Sequence, residues 1–295
     1  MTLTTIGREG LNLKARTRGS SSNTPVVLIH GYPDNQSIWD GVAEALAESF
    51  HVITYDVRGA GASDAPANES AYRLEQLARD LQAVADHLIP GRPFHLVGHD
   101  WGGIQGWEAV GTAPLNARIL SFTAISGPCL DHIGHWLQQA WRDGNLTDRT
   151  AVVRQALSSW YVGLFHLPWV APSLWQLGFD RLWPWYLETI EAIPSPEENP
   201  TQRRDGVHGV NLYRANVGER IRCPQPRRAD CPVQLIIPAR DHYLLPQLYQ
   251  ATDQWVERLY RSEIDATHWV PLTHPQEVTQ HIRRFIEEKA TPERP

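Results

Sequence analysis

An aspartate stands at the centre of a glycine-rich segment, at a position where a nucleophile is expected. Residues 98–103 read Gly-His-Asp-Trp-Gly-Gly, with an apolar run before them at 93–97 and a helix-like run after them at 104–110. A tight turn from strand to helix exposes the side chain at its apex, and small neighbours let the two elements approach. A carboxylate attacks a saturated carbon without a base and leaves an ester that water can cleave. We therefore expect the substrate to alkylate Asp100.

A second aspartate and a histidine follow late in the chain, each after a predicted strand. The apolar run at 233–237 leads to Asp241, and a short run at 262–265 leads to His268. Parallel strands end at one edge of a sheet, where ligands bind in such folds. His268, oriented by an acid, can deprotonate the water that attacks the ester. We favour Asp241 as that acid; Asp131, beyond a neighbouring strand, is the alternative.

An early turn supplies a candidate oxyanion hole. It reads His30-Gly31-Tyr32-Pro33 and directly follows an apolar run. The backbone N–H groups of Tyr32 and of Trp101, the residue after the nucleophile, can stabilise negative charge on the carbonyl oxygen of the Asp100 ester. We expect His30 to brace the turn rather than to take part in the chemistry.

The elements that must position these residues alternate along the chain. A hairpin pattern covers 3–18, and apolar strand patterns then alternate with helical patterns. The predicted strands are at 25–29, 51–55, 93–97, 119–125, 233–237 and 262–265. The predicted helices are at 39–50, 71–88, 104–110, 244–259 and 275–288. This alternation predicts an α/β fold with a doubly wound, mostly parallel sheet.

One long stretch interrupts the alternation. Residues 129–228 contain no strand-like run, yet hold seven of the twelve tryptophans. A helical insertion between two strands of one sheet is typical of a lid. We therefore predict a core domain formed by 1–128 and 229–295 and a helical cap domain formed by 129–228.

Composition excludes several classes of protein. The chain has 295 residues, 42% of them hydrophobic, and a net charge of −6 without a basic block, which argues against a nucleic-acid partner. The three cysteines, Cys129, Cys223 and Cys231, lack metal-ligand spacing, so we expect reduced thiols, a cytoplasmic location and no metal site. We find neither a signal peptide pattern nor an unbroken apolar run that could span a bilayer, and expect no membrane contact.

Taken together, these features resemble those of the epoxide hydrolases of the α/β-hydrolase superfamily. The shared marks are the turn at 30–33, Arg-Gly-Ala-Gly-Ala-Ser at 58–63, the segment at 98–103, Asp241 and His268. The resemblance covers nearly the whole chain. It implies an α/β-hydrolase fold and an enzyme that, without a cofactor, converts a small apolar epoxide and water into a vicinal diol.

Two segments of the predicted lid are similar to those that bear the family's lid tyrosines. Ser159-Trp160-Tyr161 is similar to the first, and Asn-Leu-Tyr-Arg at 211–214 is similar to the family's Asn-Trp-Tyr-Arg. The resemblance implies that the hydroxyls of Tyr161 and Tyr213, proton donors of ordinary pKa about 10, polarise the epoxide and then protonate the alkoxide. The departures are Leu212 in place of tryptophan and a longer stretch between Asp100 and Tyr161.

Two other functions compete with this interpretation. Haloalkane dehalogenases share the Asp-Trp pair, but they often carry an asparagine at the third position of the His-Gly turn, where this chain has Tyr32. Trp101 fits both enzymes, whereas Tyr161 and Tyr213 fit the epoxide hydrolase better. A ligand receptor on a hydrolase scaffold is the alternative that is not an enzyme, and the complete triad argues against it.

The sequence also resembles, more closely, actinobacterial proteins in which such a hydrolase domain precedes a short-chain dehydrogenase domain. No Gly-x-Gly-x-x-Gly cofactor loop follows here, so the resemblance implies that this chain would be the hydrolase part of a larger fusion. A homodimer is left open. The polar, proline-ended tail at 287–295 is interpreted as a free terminus or the start of a linker.

Overall fold

An eight-stranded mixed sheet forms the centre of the protein, which the computed structural model describes for residues 1–196 and 198–290. The five C-terminal residues, which include most of the predicted tail, lie outside this description. The strands are β1 (Thr2–Arg8), β2 (Leu11–Arg18), β3 (Pro25–Ile29), β4 (His51–Tyr55), β5 (Phe94–His99), β6 (Ile119–Ile125), β7 (Val233–Pro238) and β8 (Leu259–Ile264).

The strand order confirms the predicted α/β architecture. It is β1-β2-β4-β3-β5-β6-β7-β8, with antiparallel pairing of β1 to β2 and of β2 to β4 and parallel pairing from β4 to β8. All residues of β3, β4, β5 and β7 are buried. Their continuous apolar runs are typical of strands that are covered on both faces. The loops after β5, β7 and β8 therefore leave the sheet at its carboxyl edge.

Twelve α-helices are present in the described part of the chain. None of them combines the length and the apolar composition that crossing a membrane requires. They are α1 (Asp40–Leu46), α2 (Leu74–Leu88), α3 (Trp101–Val110), α4 (Leu130–Arg142), α5 (Leu146–Ser158), α6 (Trp160–His166), α7 (Val170–Leu174), α8 (Asp180–Thr189), α9 (Gln202–Arg222), α10 (Gln247–Gln250), α11 (Val270–Thr273) and α12 (Pro275–Lys289).

Helices α4–α9 form an insertion between β6 and β7, and the structure describes no strand in that stretch. The long helix α9 is bonded directly to loops of the sheet domain. The Arg204 guanidinium donates to the carbonyl groups of Gly61 and Ser63, at 2.6 and 2.5 Å, and Asp205 accepts the N–H of Gly61 at 2.9 Å. Farther along α9, Asn216 accepts the N–H of Leu74 at 2.9 Å. These bonds attach α9 directly to the sheet domain, so α9 supports the rest of the insertion.

The predicted helix at 244–259 is wrong. Only the single turn α10 (Gln247–Gln250) is helical there, and β8 already begins at Leu259. The helix predicted at 39–50 exists but is shorter, since α1 spans Asp40–Leu46. The error affects the segment between β7 and β8, which begins with the turn that carries Asp241.

Side-chain contacts hold the chain before α10 in a turn, and beyond α10 Val256 forms a parallel bridge with Ala229, which a helix running to 259 would break. Asp241 accepts the N–H of Tyr243 at 2.8 Å, and Gln155 of α5 accepts the N–H of Leu245 at 3.0 Å. Pro246 has no N–H and disfavours a helical conformation at the residue before it. Tertiary contacts thus override a helical pattern that looked convincing in the sequence.

Candidate active site

Asp100 lies in a strained turn between β5 and α3. Its φ of 51° and ψ of −120° are values that a residue with a side chain rarely adopts. A Cβ atom on Gly98 would lie 2.3 Å from the carbonyl carbon of Gly102, and one on Gly102 would lie 2.0 Å from the carbonyl oxygen of Ile29. Only glycines allow strand and helix to approach this closely, and the turn projects the Asp100 carboxylate beyond the edge of the sheet.

His268 bridges the two aspartates. Its Nε2 lies 3.6 Å from Oδ2 of Asp100, and its Nδ1 lies 2.9 Å from Oδ2 of Asp241. The alternative acid, Asp131, instead pairs with Arg220 at 3.1 Å and Arg227 at 3.2 Å. With Nδ1–H donated to Asp241, Nε2 faces Asp100, where it can act as a base once it is deprotonated.

The electrostatics of the triad favour a charged pair. Burial acts to lower the pKa of His268, but the carboxylates of Asp241 and Asp100 raise it well above its usual value. Burial acts to raise the pKa of Asp241, but the charge and hydrogen bond of His268, together with the N–H of Tyr243, bring it below its usual value. Asp241 therefore stays ionised and stabilises an imidazolium.

The turn at 30–33 delivers a backbone donor to the nucleophile. The N–H of Tyr32 donates to Oδ1 of Asp100 at 2.7 Å. A Cβ atom on Gly31 would lie 2.3 Å from the same oxygen, so glycine is needed beside the carboxylate. His30 accepts the N–H of Val57 on Nε2 at 2.9 Å, which braces the turn. Trp101 begins α3 directly after Asp100.

Asp100 lies where two cavities meet. The smaller has a volume of about 220 Å³ and the larger about 570 Å³. The smaller is lined mainly by aliphatic side chains of α4, α5 and α9, and the larger by aromatic side chains of α6–α8. Both are lined by Asp100, Tyr161, Tyr213, Tyr243 and His268.

The two predicted tyrosines belong to different helices of the insertion but share this junction. Tyr161 lies on α6 and Tyr213 on α9, with ring centroids 6.0 Å apart. Tyr213 packs edge-on against Trp101 at 4.8 Å and Tyr32 at 5.5 Å. Burial first, and the charge of Asp100 in addition, raise the pKa of both hydroxyls above its usual value. Both tyrosines therefore stay protonated and can act as donors.

Two residues of the site were missed by the sequence analysis. The ring of Tyr243 packs 4.9 Å from that of His268, and the side chain of Glu191 accepts the backbone N–H of His268 at 3.2 Å. Tyr243 could have been found from the sequence, because it stands two residues after Asp241. Glu191 could not, since it lies between α8 and α9 outside any motif.

Removing the charge of Asp100 will lower the pKa of His268. In Asp100→Asn, the imidazolium loses one of its two carboxylate neighbours, so we expect the pKa to fall by about one pH unit or more. Histidine titration followed by NMR will measure it. Asp131→Asn is the control, because Asp131 pairs with arginines, and should leave the titration of His268 unchanged. An unchanged pKa in Asp100→Asn would contradict this electrostatic account.

A family profile described as alpha/beta hydrolase fold matches residues 24–275 of the chain. "Probable oxidoreductase EphD" of Mycobacterium tuberculosis is 35% identical over 95% of this chain and 48% of that protein. "Epoxide hydrolase 3" of Xenopus tropicalis is 28% identical over 95% of this chain and 76% of that protein. The chain thus spans about half the length of its mycobacterial relatives.

Solved structures share the fold. An epoxide hydrolase mutant from Bacillus megaterium, crystallised with its diol product, aligns with a TM-score of 0.78 at 20% identity, covering 97% of this chain and 100% of that one. A Bacillus megaterium epoxide hydrolase in complex with an inhibitor aligns with a TM-score of 0.74 at 21% identity. At such identities the likeness establishes the architecture alone.

Proposed function

Because this chain belongs to the alpha/beta hydrolase fold family, we propose that it is an epoxide hydrolase that opens an apolar epoxide through an ester on Asp100. One observation carries the proposal: the Asp100 carboxylate, with His268 Nε2 at 3.6 Å from it, lines the same two cavities as the protonated tyrosines Tyr161 and Tyr213. The names and structures of the relatives support it. An epoxide and water are the proposed substrates.

In the first step, a carboxylate oxygen of Asp100 attacks one carbon of the epoxide. The bond from that carbon to the epoxide oxygen breaks, and the electron pair stays on the oxygen as an alkoxide. Tyr213 or Tyr161 donates the proton that converts this alkoxide into a hydroxyl. The products of the step are a hydroxyalkyl ester of Asp100 and a tyrosinate, which recovers its proton from water.

In the second step, His268 Nε2 removes a proton from water, and the resulting hydroxide adds to the ester carbonyl carbon of Asp100. The N–H groups of Tyr32 and Trp101 are the proposed donors to the oxyanion. Collapse breaks the carbonyl carbon–oxygen bond of the ester and leaves Asp100 as a carboxylic acid, while the departing diol oxygen takes the proton from His268. The acid proton neutralises the hydroxide left when the tyrosinate recovered its proton from water, and this restores the carboxylate.

The electrostatic arrangement suits this order of steps. In the free enzyme two carboxylates raise the pKa of His268. Ester formation neutralises Asp100, so the pKa of His268 falls at the stage when a neutral imidazole is required. The hydrolytic step should consequently stay active at lower pH than the titration of the free enzyme would suggest.

The lining of the two cavities supports an apolar substrate. Aliphatic and aromatic side chains form most of both walls, and burying them against an apolar group is favourable. We also propose that residues 129–228 act as the cap over a core of 1–128 and 229–295, of which 291–295 lie outside the described residues. The homodimer and the fusion to a dehydrogenase domain remain predictions.

Isotope transfer will test the ester mechanism. In a single turnover of an aryl epoxide in H₂¹⁸O, with enzyme in excess, the diol should carry no label, because its new oxygen comes from Asp100. The label should instead appear in the Asp100 carboxylate, as peptide mass spectrometry will reveal. Asp100→Ala is the control and should form no diol. Label in the diol during the first turnover would contradict the proposal and favour direct attack by water.

A further inference from the structure

Glu191 is a fully buried acid that joins the insertion to the loop of the base. It follows α8, and 0% of its surface is exposed. Its Oε2 accepts the backbone N–H of His268 at 3.2 Å, and its own backbone carbonyl accepts the hydroxyl of Thr267 at 2.8 Å. A single residue of the insertion therefore holds two successive residues of the catalytic loop.

The other carboxylate oxygen of Glu191 faces two tyrosine hydroxyls of the larger cavity. Oε1 accepts the hydroxyl of Tyr186 at 3.4 Å and that of Tyr243 at 3.5 Å, and the two hydroxyls also contact each other. Tyr243 in turn packs against the ring of His268. The carboxylate thus supports His268 both through its backbone and through the aromatic ring beside it.

Every hydrogen bond that the structure gives to the Glu191 carboxylate comes from an N–H or O–H donor. Such donors are the partners that a carboxylate can accept from. No Lys or Arg of the described residues forms an ion pair with it. A buried charge without a counter-ion is costly, and the nearby group whose charging would offset this cost is the imidazole of His268.

We propose that Glu191 is a positioning residue for His268: it fixes the backbone of the base and adds negative charge that stabilises the imidazolium formed during ester hydrolysis. Its kinetic consequence rests on the proposed function, whereas its effect on the histidine does not depend on substrate. Asp100 loses its charge as the ester forms, so Asp241, Glu191 and the buried Asp34 are the acids left to act on His268 in that state.

Among the titratable groups that face His268, Tyr243 is hydrogen-bonded to Glu191, whereas Asp34 and His99 have other partners. Asp34 is buried and accepts the indole N–H of Trp269 at 2.9 Å, and burial raises the pKa of its carboxyl to about 7. His99 donates through Nε2 to the backbone carbonyl of His268 at 2.9 Å. The titratable groups that face His268 are Asp34, His99, Asp100, Asp241 and Tyr243.

The test compares Glu191→Gln with Asp205→Asn. Glutamine keeps the size and one acceptor of Glu191 but removes the charge. We expect alkylation of Asp100 at the wild-type rate, ester hydrolysis slowed by roughly three- to tenfold, and a His268 pKa lower by about one pH unit. Single-turnover kinetics over a pH series will separate the two steps, and NMR will follow the histidine.

Asp205→Asn is the matched control. Asp205 is also a buried acid of the insertion, and it accepts the core N–H of Gly61 at 2.9 Å, yet it has no hydrogen bond to His268. Its substitution should leave the ratio of hydrolysis to alkylation and the titration of His268 unchanged. Glu191→Asp keeps the charge and should retain a His268 pKa closer to that of the wild type.

Three results would overturn the proposal. One is a His268 pKa in Glu191→Gln that equals that of the wild type. Another is a loss of rate in Glu191→Gln that is equal for alkylation and hydrolysis and is matched by the loss in Asp205→Asn. If Glu191→Gln does not fold, Glu191→Asp must slow hydrolysis more than alkylation, and equal effects count against us. If the wild type opens no epoxide, the proposed function fails, and the NMR titration alone then decides the role of Glu191.

Discussion

His268→Gln will trap the covalent ester on Asp100 and stop turnover. Attack by the carboxylate needs no base, whereas hydrolysis of the ester does, so the first step continues while the second slows by roughly 10²–10⁴-fold. Intact-protein mass spectrometry after exposure to an epoxide should show a gain equal to the mass of the epoxide. Peptide mapping should locate the added mass on Asp100.

The double variant His268→Gln with Asp100→Ala is the control and should gain no mass. Glutamine is preferred to alanine at residue 268 because it leaves less empty volume beside Tyr243 and Trp269. A folded His268→Gln protein that turns over rapidly, or that stays unmodified by a substrate of the wild type, would rule out the two-step scheme.

Loss of both lid hydroxyls will nearly abolish epoxide opening. The alkoxide that forms is strongly basic and stays attached to the substrate, so it needs a positioned proton donor. Tyr213→Phe should slow alkylation of Asp100 by roughly 10²–10⁴-fold, the usual contribution of such a donor. The loss of rate will be smaller to the extent that Tyr161 donates the proton instead. Tyr161→Phe combined with Tyr213→Phe should remove nearly all of the remaining rate in single-turnover assays with an aryl epoxide.

The same assays separate an epoxide hydrolase from a haloalkane dehalogenase, because a departing halide needs no proton. Tyr55→Phe is the control: Tyr55 is buried on β4 and lines neither of the two cavities. Bromide release from 1-bromoalkanes that survives the double substitution, together with no epoxide opening by the wild type, would replace the epoxide hydrolase proposal with a dehalogenase.

The sheet could be predicted from the sequence because its strands are short apolar runs that alternate with helical patterns. The surroundings of Asp100 were readable for a similar reason, since Gly98 and Gly102 are required by contacts within one local turn. The failed helix at 244–259 shows the limit of such reasoning. Val256 instead forms a bridge with Ala229, and Gln155 accepts the N–H of Leu245; no local pattern encodes either partner, because both come from distant parts of the chain.

Some residues of the site could likewise be predicted from the sequence, and others could not. Asp100 and His268 follow strand ends, so their meeting at one edge is a consequence of topology, and the two tyrosines were indicated by family resemblance. The sequence favoured Asp241 over Asp131, and in the structure Asp241 lies 2.9 Å from His268 whereas arginines pair with Asp131. Glu191 could not be predicted, because its role depends on a contact 77 residues along the chain.

Because α9 is anchored to the sheet domain, the two lid tyrosines are held in place differently. Tyr213 belongs to the helix that Arg204 and Asp205 bind to the core. Tyr161 belongs to α6, whose end is attached to α9 through Arg214, which donates to the carbonyl of Phe165 at 2.6 Å. An outward swing of α6 to admit a substrate would carry Tyr161 away and leave Tyr213 in place. The enzyme would then possess one resident proton donor and one that arrives only on closure.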